Sequence, residues 1–367
     1  MRRFVTLSIG LGVVALLGTM VVLTTGRTRL PEPMVTAADL PALPPAEENG
    51  WTALAAFEDS DIADLPGEQL VWLLESQSEE SAHADRWDAL AGEDSEFSTP
   101  LPSRFQRALR TWRQMAAAPV FVDGCMPDPT KVCPHLQFYK LHQLALIDVA
   151  QQAVAGDWAV ADRRLAAALR LDYGLLSTNR NAMSAAVAVN TTAEALALTH
   201  LLMLQAPDRV PATIEAARRF DDVALQAFDV RHRSAIGTYL FEYAALRRAH
   251  EQGSEVLVGE DDWRPDAMLD IEASAALIDA SYVRFRREYG PSLVVMRGDE
   301  ADDEAVGCGW FASVRNSIGC DVFASDAMRK LRARSMETLE TDLEPARRWA
   351  QRIRDLQDAH AVDSPEG

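Results

Sequence analysis

The sequence predicts an all-α protein, with one N-terminal transmembrane helix followed by an irregular, repeat-like helical domain. Three observations lead there. The chain runs from Phe4 to Thr25 without a charge. Beyond residue 49, apolar residues recur at three- and four-residue spacing in nearly every segment, the period of a half-buried helix. Gly and Pro cluster between those segments rather than inside them, as helix punctuation requires.

The opening Met1-Arg2-Arg3 and the apolar run 4–25 are long enough to cross a bilayer core at about 1.5 Å rise per residue. The rival reading is a cleaved secretory signal, whose apolar region spans roughly 7–15 residues before a small-x-small site. Here the run is longer, and the nearest such site, Val35-Thr36-Ala37, lies beyond Arg27 and Arg29. Residues 1–29 are therefore read as an uncleaved anchor in a bacterial inner membrane. Arg2 and Arg3 favour an N-terminus inside, and Arg27 and Arg29 oppose that bias. The orientation expected is N-in, with the remaining chain in the periplasm or outside the cell.

Residues 30–48 carry Pro31, Pro33, Pro41, Pro44 and Pro45, the composition of an extended spacer. The folded domain is expected over 49–367, about 320 residues and ample for a large core. The whole chain's balance of 36 basic against 55 acidic side chains gives a net charge of −19, which repels phosphate backbones and excludes nucleic acid as a partner. The acidity concentrates in a lobe over 49–100, where Trp51, Leu54, Phe57, Leu70, Leu73 and Leu74 still recur at helical spacing. Short helices with solvated acidic faces are expected there, rather than a calcium site.

Four cysteines fall as two local pairs, Cys125 with Cys133 and Cys308 with Cys320. In an exported chain an even count reads as disulfides, each closing a short loop and stabilising by about 2.5–3 kcal/mol. Other pairings, free thiols and zinc are the alternatives. Structural zinc sites usually space their cysteines two to four residues apart, which neither pair does.

Phe105, Leu109 and Trp112 mark a helix ending before Pro119. Leu136–Ala155 and Trp158–Leu171 form a helical hairpin punctuated by Gly156-Asp157, with Ala161, Leu165 and Ala168 on one stripe. The run Gly156-Asp157-Trp158, Ala161, Leu165, Ala168, Asp172 resembles the second half of a tetratricopeptide repeat. That likeness implies a tight turn at the glycine, an aromatic plug between helices and close packing over the alanines. It covers about twenty residues. Asp148 and Val149 stand where the repeat has Leu and Gly, Tyr173 where it has Pro, and no second copy follows at the repeat's period.

Leu175–Gln205 is apolar on nearly every face and reads as the central core helix. Arg180, Asn181, Asn190, Thr191, Thr192, Glu194 and His200 argue against a second membrane span. Helices are expected over Val210–Phe220, Asp222–Gln252 and Asp266–Glu288, the last stopped by Gly290-Pro291. Leu293–Ile318 has strand or loop character and contains the acidic run Asp299 to Glu304, which lacks calcium-loop spacing. A final helix over Asp321–Asp358 carries Arg and Glu at i, i+3 and i+4.

Glu194 and His200 sit inside the apolar central helix, where a carboxylate needs a partner or a proton. Arg231-His232-Arg233 on the following long helix is the expected source, so Glu194, His200, Arg231 and His232 are the candidate catalytic residues. His135 and His142, seven apart, share a helix face and are expected at the surface or as caps. No nucleophile elbow, His-Glu-x-x-His or phosphate-binding glycine loop occurs, and no cofactor or metal is expected. The whole pattern also resembles exported helical proteins of unassigned function from GC-rich bacteria, including the turn Asn316-Ser317-Ile318-Gly319. These features favour a scaffold that binds another protein. An envelope hydrolase built at the central helix is the second expectation, and a module enclosing a small ligand is the third.

Overall fold

The computed structural model describes residues 29–57, 87, 90–92, 101–126, 128, 130–220, 222, 227–259, 269–289, 308, 316–323 and 343–359. The expected anchor over 4–25, most of the acidic lobe and the run Asp299 to Glu304 lie outside them. Among the described residues the protein is helical and contains no strand, only an isolated parallel bridge between Asn49 and Val120.

The helices are α1 Trp51–Ala55, α2 Gln106–Ala117, α3 His135–Val154, α4 Trp158–Thr178, α5 Ala182–Gln205, α6 Pro211–Arg218, α7 Ala227–Gln252, α8 Glu255–Val258, α9 Ile271–Tyr289, α10 Ser317–Phe323 and a last helix, α11, over 343–359. They fall into two compact units. The larger lies within 40–126, 132–234 and 335–367, the smaller within 1–39, 127–131 and 235–334, so the division cuts α7 after Ser234.

In the larger unit α3, α4 and α5 pack against one another, α6 closes on α4, and α2 lies against α3 and α4. The α3–α4 turn follows from local chemistry. Gly156 has φ +84°, a conformation that costs an L side chain roughly 1–2 kcal/mol, and the Asp157 side chain accepts the Val160 N–H to cap α4. Ala161, Leu165 and Ala168 are fully buried, as the stripe predicts. Trp158 is half-buried and stacks on Trp87 with centroids 5.8 Å apart.

The helix expected over Leu175–Gln205 is in fact divided. Helix α4 runs on to Thr178, seven residues past Leu171, and α5 starts afresh at Ala182. The break has a stated cause. Asn181 accepts the Ser184 N–H at 2.8 Å while the Ser184 hydroxyl receives the Asn181 N–H, a reciprocal cap. Asn179 is buried in the gap, donating to Val230 O and Ser234 Oγ and accepting from Arg233 Nε. Two asparagines that bond locally and across helices outcompete helix continuation.

Helix α5 is long and apolar enough to cross a membrane, but 72% of its 18-residue apolar window is buried within the protein, as befits a core helix. Its hydroxyls are satisfied internally: Thr191 and Thr192 donate to Ala188 O, and Thr199 donates to Ala195 O. Leu196, Leu198 and Leu202 are fully buried, each contributing about 2 kcal/mol by area removed from water. Asp162 of α4 accepts the Ala212 and Thr213 N–H groups and so caps α6. Leu343, Ala346, Trp349, Ala350 and Ile353 of α11 join the same core.

In the smaller unit α9 packs on α10, pinned by Asn316, whose side-chain oxygen accepts from Asp270 N and Ser274 Oγ. The Cys308–Cys320 disulfide joins the segment before α10 to the helix itself. Tyr239 donates to Asp279 at 2.6 Å and accepts the Met34 N–H at 2.7 Å, while Tyr243 donates to Pro31 O. The proline-rich segment, expected as an extended spacer, is fastened by its backbone at Pro31 and Met34. Proline removes donors from such a segment and leaves carbonyls for buried phenols to bind.

Candidate functional site

Glu194, the carboxylate singled out in the central helix, sits on α5 beside two residues of α3. Tyr139 donates its hydroxyl to Glu194 Oε1 at 2.8 Å, and His142 Nδ1 lies 3.7 Å from Glu194 Oε2. His142 Nε2 in turn is 3.0 Å from Asp172 Oδ2 on α4. Tyr139 and His142 are three apart and so face the same way on α3. Edge-on contact with Trp112 of α2, 5.6 Å between centroids, closes the imidazole from the fourth side.

Burial grades across this cluster. His142 and Asp172 are fully buried, whereas the Glu194 side chain is 14% exposed and Tyr139 is half-buried. Removal from water alone lowers the His142 pKa, but the carboxylates of Asp172 and then Glu194 outweigh it and leave the imidazole raised to about 9. Burial also pushes the Asp172 carboxyl up, against the pull of His142. The two groups are joined by a 3.0 Å hydrogen bond and so titrate as a coupled pair. Chemically, the cluster is a Tyr139–Glu194 hydrogen bond at a half-buried edge and a sealed His142–Asp172 pair, with His142 and Glu194 at ion-pair range between them.

The other expected members lie elsewhere. His200 is six residues after Glu194, about 240° around the helix, and its ring packs 5.1 Å from Trp349 of α11. Arg233 bonds to Asn179 and Leu176 at the α4–α5 break. Arg231 and His232 are half-buried on the same first turns of α7. The partners of Glu194 come from α3 instead, because α3 rather than α7 is the helix packed along that face of α5. His135 and His142, expected at the surface or as caps, are both buried.

Asp172 and Tyr139 were missed as partners, and one signal could have found Asp172. It continues the spacing of Ala161, Leu165 and Ala168, so it is a carboxylate on an apolar stripe and requires a buried counter-group. Asp148 presents the same case with a different answer: burial raises its pKa, opposed by Arg164 and Arg113, which pair with it.

A second polar cluster surrounds the first disulfide. Cys125 and Cys133 are bonded, as their local spacing predicts. Asp123, fully buried, accepts the Cys125 and Arg180 N–H groups and lies 3.6 Å from His135 Nε2. Asn181 donates to Cys125 Sγ at 3.6 Å, and Trp51 stands edge-on to His135 at 5.4 Å. Around this knuckle four apolar side chains face outward: Val132 is 94% exposed, Met183 63%, Leu136 58% and Met126 42%. Comparison of the chain with protein-family models, curated proteins and solved structures finds no match.

Proposed function

We infer that the protein is a membrane-tethered helical scaffold that docks another protein outside the cytoplasm, with the disulfide knuckle of the larger unit as its contact point. The carrying observation is the outward set Met126, Val132, Leu136 and Met183. Met126 and Val132 adjoin the bonded cysteines, Leu136 follows three residues later on α3, and the Asn181–Cys125 contact draws in the start of α5. Apolar side chains grouped on a rigid base mark association surfaces more often than chance exposure does. The base is rigid for stated reasons: a disulfide, the buried Asp123 and the reciprocal cap at Asn181.

Two disulfides favour an oxidising compartment. Together with the apolar run 4–25 this supports the reading of an inner-membrane anchor oriented N-in, with the helical domain in the periplasm or beyond. The α3–α4 hairpin, with its positive-φ glycine and buried alanines, supports a tetratricopeptide-like reading of 156–172. Photocrosslinking from Val132 and Met183 in intact cells tests the scaffold: a discrete adduct with another protein is expected, and its absence from both positions removes the reading.

A second reading is an envelope enzyme, a hydrolase using Glu194. It is favoured by the partial exposure of Glu194 and Tyr139 at the outer edge of the cluster. Glu194→Gln preserves the Tyr139 hydrogen bond while removing the charge. A lost phenotype with unchanged melting would support the enzyme. A small molecule co-purifying with the chain in native mass spectrometry would instead support a ligand-binding module.

A further inference from the structure

Buried histidine nitrogens need close partners, and His135 Nε2 meets Asp123 only at ion-pair range. It is enclosed, 3.6 Å from Asp123 Oδ1, and makes no hydrogen bond. Its surroundings are metal-binding groups: one carboxylate oxygen of Asp123, Cys125 Sγ and a ring nitrogen of His135 all lie within 4.8 Å of one another. Cys133 Sγ is joined to Cys125 Sγ, so a fourth donor is adjacent. We propose that opening the Cys125–Cys133 disulfide with a dithiol converts this knuckle into a tetrahedral zinc site ligated by Asp123, Cys125, Cys133 and His135.

The chemistry balances. The disulfide takes two electrons and two protons from the dithiol, which becomes a disulfide itself. The two thiols then release their protons as Zn²⁺ binds them as thiolates. The donor set of two sulfurs, one imidazole and one carboxylate suits a borderline-soft, four-coordinate cation with bonds of about 2.0–2.3 Å. Donor atoms around such a centre stand about 3.3–3.8 Å apart, within the 4.8 Å spread of the present cluster. Cys125 and Cys133 have Cα atoms 5.7 Å apart, so relaxing their sulfurs from a covalent bond to a shared ion needs little backbone movement.

Outer contacts are already in place. The Arg180 N–H holds Asp123 Oδ2, leaving Oδ1 turned toward His135. The Asn181 amide donates to Cys125 Sγ, the direction that stabilises a thiolate. Partners of this kind fix ligand orientation and commonly change metal affinity 10–100-fold. Spacing alone hides the site, because Cys-x7-Cys is wider than the usual zinc hook. The missing ligands are Asp123, two residues before the first cysteine, and His135, two after the second. The site lies beneath the apolar surface and does not require a partner protein to bind there.

The test uses the full chain, reduced with dithiothreitol, freed of it without air, and titrated with Co²⁺ followed by Zn²⁺. One equivalent of Co²⁺ should give the absorption of a tetrahedral thiolate complex, bleached by one equivalent of Zn²⁺, with no such signal from the oxidised chain. His135→Gln should weaken Zn²⁺ binding at least ~10-fold, and Asp123→Asn should do likewise. Zn²⁺ should also shield Cys125 and Cys133 from iodoacetamide, read by mass spectrometry, while Cys308 and Cys320 are labelled. No tetrahedral spectrum, unchanged affinity in His135→Gln, or equal labelling of all four cysteines overturns the proposal. So does a reduced chain that unfolds and does not recover its helical spectrum with Zn²⁺.

Discussion

His142 and Asp172 meet Nε2 to Oδ2 at 3.0 Å, on two different helices and with no access to water. Because the imidazole pKa is raised from 6.5 to about 9, protonation of His142 is coupled to folding. The folded state holds this proton more tightly than the unfolded state. Its stabilisation is therefore complete below about pH 6.5 and disappears as pH rises through 9. Asp172 faces His142 from α4 and Glu194 faces it from α5, so both carboxylates lose a cation in that window. The unfolding free energy from urea titrations should fall between pH 6.5 and 9.5, by on the order of 3 kcal/mol, and His142→Leu should flatten that part of the curve. An unchanged slope would detach the pH response from His142.

Removing one charge and removing both should differ in size. His142→Leu leaves Asp172 enclosed without its cation, at a cost of about 3–5 kcal/mol. His142→Leu together with Asp172→Leu leaves no fully enclosed charge, Glu194 keeping Tyr139 and its contact with water, and should recover most of that loss. Equilibrium unfolding of the two single variants and the double variant measures the coupling. Additive losses would show that the pair is not the interaction described here.

Asn181 sets where α5 begins. Asn181→Ala removes both the Ser184 cap and the bond to Cys125 Sγ, and should destabilise by about 1–2 kcal/mol. Asn181→Ser, which can still cap, should lose less than half as much. Thermal melts of the two variants in parallel distinguish capping from bulk.

Two glycines should respond to alanine for different reasons. Gly156 has open space around it but φ +84°, so the loss is backbone strain of about 1 kcal/mol. Gly174 is helical, yet an added Cβ would stand 2.6 Å from Phe121 O, a clash with backbone that cannot rotate away. Gly174→Ala should therefore cost more, about 1–3 kcal/mol. Denaturant midpoints showing the reverse order would contradict this packing.

If the knuckle is the docking surface, Val132→Asp and Leu136→Asp should abolish the photocrosslink from Met183 while leaving the melting temperature within about a degree. Exposed positions away from packed features usually change stability by less than about 0.5 kcal/mol. A crosslink that persists in both variants would move the contact elsewhere.

The sequence alone located several of the described helices and the buried stripe Ala161, Leu165 and Ala168, because apolar spacing and Gly-Pro punctuation are local signals. Helices α2, α3 and α6 lie within about two residues of the periods that predict them. The Cys125–Cys133 and Cys308–Cys320 pairings were legible for the same reason, since short loops favour their own closure. The tertiary structure alone decided which polar groups meet. Glu194 announces its need for a partner, but whether that partner is His142 or a residue of α7 depends on which helix packs beside α5. Likewise Asp123 and His135 look unrelated to the cysteines until the knuckle folds. Periodicity records which face of a helix is buried and carries no information about the identity of the neighbouring helix. Long-range pairing is set by packing of the whole core.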